Sequence, residues 1–318
     1  MTRVAAIDCG TNSIRLLIAD RAVADRAGAG PDGAGELIDV DRRTTIVRLG
    51  QDVDRTGRLA PEAIERTRIA LTAYAEAIRS AGVERVRMVA TSATRDAANR
   101  DDFHAMVRDV LGQPAEIITG AEEASLSFAG AVGSLHGHRP PYLVLDIGGG
   151  STEFVLGRRE VTAARSVDIG SVRLTERHFA DDPPTRAQVE RARADALRSI
   201  EQVRAEVPID TAATVVGVAG SVTTIAAVAL GLTEYDRNRV DGAVLEAEAV
   251  RRTAGRLLAA GHDERAALTV IAPGRRDVIA AGALILRTII DACGADAVVV
   301  SEHDILDGIA LSLGLPTQ

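Results

Sequence analysis

Two acid-tipped runs hold the residues best suited to chemistry. Leu143–Gly157 reads as an apolar strand ending at Asp146, then Gly148-Gly149-Gly150, then a second strand opened by Ser151 and Thr152 and carrying Glu153. Glycine accepts positive φ angles, so successive backbone N–H groups can converge on an anion. The two hydroxyls add donors. Asp146 and Glu153 are hard oxygen ligands of the kind that hold a magnesium ion riding on phosphates. One hairpin thus offers a phosphate cradle and metal ligands together. The competing reading is a plain β-hairpin whose loop needs glycine only for its turn.

The pattern occurs twice. Val4–Ile18 also runs from an apolar strand through Asp8 and a small polar turn (Gly10-Thr11-Asn12) into Ser13 and a second strand. Placing Asp8 on Asp146, an offset of 146 − 8 = 138, puts Gly10 on Gly148, Ser13 on Ser151 and Arg15 on Glu153. A repeat at that spacing predicts two related domains facing each other, able to grip a polyanion and a metal between two phosphate loops.

Three further turns follow apolar strands, where open α/β folds place anion ligands. Val86–Ser92 runs into Ala93-Thr94-Arg95-Asp96, which makes Arg95 a phosphate-ligand candidate; spacing alone favours a surface Arg paired with Asp96. Ala115–Thr119 leads into Gly120-Ala121-Glu122-Glu123 at the start of a helix. Paired glutamates in a first turn also suit the helix dipole, and periodicity does not choose between the roles. Glu123 shares its side with Ser127 and Gly130, small residues that leave room for another group. Ala213–Val218 leads into Ala219-Gly220-Ser221 and a buried helix to Leu230.

Other polar residues have cheaper explanations. Ser301-Glu302-His303-Asp304 fits a capping box, which accounts for Asp304. His136 and His138 have no third ligand nearby in sequence, which argues against a metal there. Cys9 and Cys293 are too few and too scattered for a disulfide framework or zinc site, and Cys9 reads as a small buried residue.

The frame for these turns is ordinary globular composition: 318 residues, 46% hydrophobic, long enough for two cores. Aromatic residues are only 2% with no Trp, so the core is aliphatic and base-stacking platforms for nucleic acid are excluded. A net charge of −8 disfavours generic phosphate-backbone binding, so a polyanionic substrate requires a local basic patch. All 37 basic residues are Arg, which supplies bidentate phosphate ligands and removes any lysine nucleophile. No signal peptide or membrane span is expected: Asp8 interrupts the N-terminal apolar run, and glycines, serine and threonines break Thr211–Thr233. The expected compartment is the cytoplasm.

In chain order the pattern predicts a loop over Arg21–Gly35, a strand region at Leu37–Leu49, and a helix over Pro61–Ala81 stopped by Gly82. A helix ending near Gly112 follows. Val161–Leu174 reads as strand segments, and Thr185 with Gln188 caps a long helix to about Val207. Helices near Glu246–Ala260 and Arg276–Cys293, a buried strand at Ala297–Val300, and a last helix ending near Gly314 complete the chain.

Taken together, Ala6–Ser13, Ala90–Arg95, Ile118–Ala124, Asp146–Glu153, Gly217–Thr224 and Val300–Gly308 resemble the exopolyphosphatase and guanosine pentaphosphate phosphatase family in its short two-domain form. The resemblance implies an α/β fold of two ribonuclease-H-like domains of the actin-like ATPase superfamily, facing across a cleft. The expected boundaries are 1–121, 122–300, and a C-terminal helix at 301–318 packing back on the first domain. It places the catalytic base on Glu123 and the metal-associated carboxylates on Asp146 and Glu153. Substrate contacts fall on Asp8, Asn12, Ser13, Arg95, Gly148, Gly149 and Ser151. Gly220 and Ser221 lie where actin-like kinases hold adenosine. Cys9 and Thr11 replace the Leu and Ser of some members, and Thr keeps the hydroxyl.

What this implies is a hydrolase removing terminal phosphate from inorganic polyphosphate, with magnesium, or manganese in its place, in a homodimer. It binds neither nucleic acid nor membrane. The alternatives are a guanosine pentaphosphate 5′-phosphatase, a kinase of the same fold, or a sensor of guanosine tetraphosphate or polyphosphate with little activity.

Overall fold

A computed structural model describes residues 1–21, 37–133, 135 and 137–313. The predicted loop after Arg21, His136 and Gly314 lie outside the described residues. The chain divides into two compact units, Met1–Gly133 with His303–Gln318, and Ser134–Glu302. The first unit runs past the expected boundary at 121 and takes in the whole helix Gly120–Val132.

The first unit is built on β1 (Thr2–Cys9), β2 (Ser13–Arg21), β3 (Leu37–Ile46), β4 (Arg85–Ala90) and β5 (Glu116–Ile117), in the order β3-β2-β1-β4-β5. The β1–β2 and β2–β3 pairs are antiparallel; β4 and β5 join in parallel. The second unit holds β6 (Tyr142–Ile147), β7 (Thr152–Gly157), β8 (Val161–Val167), β9 (Thr214–Val218), β10 (Val244–Glu246) and β11 (Ala297–Val300). Their order is β10-β11-β9-β6-β7-β8. Read from the other edge, β8-β7-β6-β9-β11 repeats the first sheet, with the same antiparallel hairpins and parallel neighbours. Both units are therefore ribonuclease-H-like, the building block of the actin-like ATPase class. Every residue of β6 and β7 is buried, as strands covered on both faces require.

Local signals explain most boundaries. Pro61 opens the helix Pro61–Ser80, and Gly82, at φ +65°, supplies the left-handed residue after it. Tyr74 of that helix donates its hydroxyl to the Ile14 carbonyl at 3.1 Å, fastening the helix to β2. Thr185 and Gln188 form the expected capping box for Arg186–Arg204.

One expectation is corrected. Val161–Leu174 is not strand throughout: β8 stops at Val167, and Ser171–His178 is a helix. The reason is tertiary. The N–H groups of Ser171, Val172 and Arg173 bond to the carbonyls of Gly148 and Gly149 at 2.9–3.1 Å, which starts a helical turn where β-branched residues suggested extension. The sequence reading also did not mark β10 or the short helices Arg237–Val240 and His262–Ala266.

The C-terminal helix, Ile305–Ser312, is capped by Asp304, three residues beyond the Ser301 start of the expected box; Asp307 returns the second bond to the Asp304 N–H. It packs on β1 and on Gly120–Val132. Its approach needs two glycines: a Cβ on Gly130 would lie 1.9 Å from the Asp304 carbonyl oxygen, and one on Gly308 would lie 2.0 Å from that of Leu126. The room beside Glu123 inferred from Gly130 is thus filled by this helix. Among the described residues no helix is long and apolar enough to cross a membrane.

Candidate active site

In the first unit the candidates gather at the C-terminal ends of the parallel strands. Register pairs Asp8 of β1 with Arg15 of β2 and with Val89 of β4. The turn closes through Gly10 N–H donating to the Ser13 carbonyl at 3.0 Å. Asp8, Thr11 and Asn12 are buried. Thr11 and Ser92 share a hydroxyl–hydroxyl bond of 2.9 Å, tying the loop to the turn after β4.

Arg15 grips Asp8 Oδ2 with Nε and Nη2 at 3.0 and 2.7 Å, and reaches Asp304 with Nη1. Burial pushes the Asp8 carboxyl up; Arg15 opposes this, and the nearby Asp304 adds to it. The Cys9 thiol is likewise pushed up by burial and by Asp8, which disfavours the thiolate.

The paired glutamates part company. Glu122 is exposed and joins Glu116 around Arg87, with 2.7 Å bonds to each. Glu123 is buried, and its Oε2 accepts from Arg95 Nη1 at 3.3 Å. The same Nη1 donates to the Ile118 carbonyl at 3.0 Å, which aims the guanidinium at Glu123. Arg95 and Glu123, 28 residues apart, are thereby brought together.

The second unit repeats the hairpin with different charges. Asp146 stands opposite Glu153, as Asp8 stands opposite Arg15. Gly148 N–H donates to the Ser151 carbonyl at 3.0 Å, the same turn bond as in the first loop. Asp146, Ser151 and Glu153 are 6%, 2% and 1% exposed, so two carboxylates lie buried side by side. Glu153 Oε1 accepts from Ser166 Oγ at 2.7 Å, which fixes its rotamer.

Two neighbouring hard carboxylates fit a divalent ion that completes its shell with water and phosphate oxygens. Among the described residues no group of three or more His, Cys, Asp or Glu is placed to hold a metal ion.

Gly220 and Ser221 follow Val218, the β9 residue in register with Asp146. The positive φ of this turn falls on Ala219, at +66°. Gly220 packs against the Arg275 guanidinium so closely that a Cβ would lie 2.0 Å from it. Ser221 is buried against Gly282.

Arg15 and Arg173 belong to these clusters and were given no role in the sequence reading, and Asp304, read there as a cap, also takes Arg15. The signal for Arg15 was present, since the repeat puts it opposite Asp8 where Glu153 faces Asp146. Arg173 was masked by the strand reading of its segment.

The sequence matches the Ppx/GppA phosphatase family over residues 30–315. The chain belongs to that family. It is 53% identical over 322 residues to a Mycobacterium tuberculosis protein named Exopolyphosphatase 2, covering 98% of this chain and 99% of that protein. It superposes on the crystal structure of an exopolyphosphatase-like protein with a TM-score of 0.92 at 41% identity, over 98% of both chains. The Aquifex aeolicus Ppx/GppA family member gives a TM-score of 0.78 at 32% identity, over 98% of this chain and 97% of that one.

Proposed function

We propose that this chain hydrolyses the terminal phosphoanhydride bond of inorganic polyphosphate. The observation that carries the reading is the second hairpin: a glycine turn flanked by two buried, adjacent carboxylates, Asp146 and Glu153. Identity of 53% with a protein named Exopolyphosphatase 2 supports polyphosphate as the anion.

Magnesium, or manganese in its place, would be held by Asp146 and Glu153 and would supply charge neutralisation to the substrate. Gly148, whose N–H closes the turn on the Ser151 carbonyl, shapes the loop; the Gly149 N–H and the Ser151 hydroxyl bind phosphate oxygens, and Asn12 and Ser13 do the same from the first loop. Asp8, held by Arg15, shapes that loop. Arg95 offsets charge developing on the transferred group. Glu123 takes the proton of the attacking water as its oxygen bonds to phosphorus and the shortened chain departs as the leaving group. Phosphoryl transfer depends mainly on such positioning and electrostatics. Gly220 and Ser221 are assigned to the distal part of the substrate. The homodimer rests on the family resemblance, and the cytoplasmic setting on the sequence reading.

The family covers a second substrate type, so guanosine pentaphosphate is the competing reading. Phosphate release from polyphosphate, guanosine pentaphosphate and ATP, measured side by side with magnesium, tests both. Polyphosphate is expected to be cleaved fastest and ATP spared. Preference for guanosine pentaphosphate would move the assignment to the other branch. Binding without release from any of the three would leave a sensor.

A further inference from the structure

Both phosphate loops are held through their backbone carbonyls, and in the second an arginine side chain takes part. In the first unit the Asn12 carbonyl accepts from the backbone N–H groups of Val47 and Arg48 at 3.0 and 2.9 Å, and the Thr11 carbonyl accepts from Gly50 N–H at 2.8 Å. These anchors are neutral peptide groups. The offset of 138 places Asn12 on Gly150, Thr11 on Gly149 and Gly10 on Gly148.

In the second unit the Gly149 carbonyl accepts from Val172 and Arg173 N–H at 2.9 and 3.1 Å, and Gly148 from Ser171 N–H at 2.9 Å. The Gly150 carbonyl, however, accepts from the side chain of Arg173, Nε to oxygen at 2.7 Å. That side chain is only 11% exposed. Gly170 presses on the same loop, where a Cβ would meet the Gly149 carbonyl oxygen at 2.3 Å. Thr152 Oγ1 donates to the Ile169 carbonyl at 2.6 Å from the far side of the loop. Each peptide of the glycine turn is therefore fixed to the segment 169–173.

From these contacts we infer that Arg173 is a positioning residue for the phosphate loop at Gly148–Ser151. It draws the loop carbonyls to one side, which leaves the N–H face to an anion. It also sets a part-buried guanidinium, 4.0 Å from Asp168 Oδ1, beside the Gly150 carbonyl. A charge-assisted bond in a low-dielectric setting strengthens anion binding far more than a neutral one. The inference rests on the phosphohydrolase reading above and deepens it, assigning the alignment of this loop to Arg173.

The test uses the full chain with magnesium. Tripolyphosphate binding is measured by calorimetry and polyphosphate hydrolysis by phosphate release, for the unaltered chain and for Arg173→Gln, Arg173→Lys and Arg173→Ala. Arg173→Gln is expected to bind tripolyphosphate about tenfold to a hundredfold more weakly, the size of a lost charge-assisted bond. KM should rise, and the salt dependence of binding should flatten. Arg173→Lys keeps the charge and should recover part of the loss even if Arg173→Gln folds poorly. Added guanidinium should partly restore Arg173→Ala, which a purely structural defect would not allow. Unaltered binding and KM in a folded Arg173→Gln would overturn the inference while leaving the hydrolase reading intact. An unaltered chain that neither binds tripolyphosphate nor cleaves polyphosphate would overturn the hydrolase reading, and this inference with it.

Discussion

Within the first unit, Asp307 is buried yet ionised because three groups meet it. Its Oδ1 lies 2.6 Å from Arg42 Nη2 and 2.9 Å from His303 Nδ1, and its Oδ2 accepts from the Asp304 N–H at 3.1 Å. Burial pushes this carboxyl up, but His303 and Arg42 together outweigh it and hold it well below the usual carboxylate range. A carboxyl depressed on folding stabilises the fold fully above its unfolded pKa of about 3.9, and that contribution is lost as pH falls through the lower folded value. Asp307→Asn should therefore cost roughly 3–5 kcal/mol at pH 7, the scale for breaking a buried pair. The gap from the unaltered chain should narrow in strongly acidic buffer. Urea denaturation at neutral and acid pH checks this; equal stability at neutral pH, or a gap that does not change with pH, would contradict it. At this scale the sequence was legible by residue type but not by partner. Glu122 and Glu123 are neighbours in one first turn, and only the packed helix buries one and leaves the other on the surface with Arg87. Arg95 had Asp96 beside it in sequence, yet the Ile118 carbonyl turns it to Glu123.

Among the elements, most boundaries followed from local chemistry, since glycines, prolines and capping boxes act within one turn of the chain. The helix at Ser171–His178 was not legible because its first bonds go to the glycine turn at 148–149, over twenty residues upstream. The crossing of Gly120–Val132 with Ile305–Ser312 was half legible. Gly130 announced a close approach, but nothing nearby in sequence named Gly308 as the opposing surface. Gly308→Ala places a methyl 2.0 Å from the Leu126 carbonyl oxygen, inside a helix pair whose backbones already touch. That overpacking should destabilise the chain by about 1–3 kcal/mol despite the better helix propensity of alanine. Gly255, where a Cβ would meet nothing, is the matched control, and Gly255→Ala should be neutral or stabilising by a few tenths to about 1 kcal/mol. Equal denaturation midpoints for the two variants would contradict the close approach.

Across the whole molecule, the repeat seen as two acid-tipped runs is the repeat of two five-strand patterns, and it divides the chemistry unequally. The first hairpin pairs Asp8 with Arg15, and the second pairs Asp146 with Glu153. One loop is closed by an internal ion pair, while the other sets two carboxyl groups opposite each other, the pair to which we assign the metal. The base we propose, Glu123, belongs to the unit without that carboxylate pair. Phosphate release from polyphosphate by Glu123→Gln, beside the unaltered chain and with magnesium, tests this most directly. General-base help is typically worth about 10²–10⁴-fold, so the variant should lose turnover on that scale while binding tripolyphosphate as before. Turnover within about twofold of the unaltered chain would contradict the account.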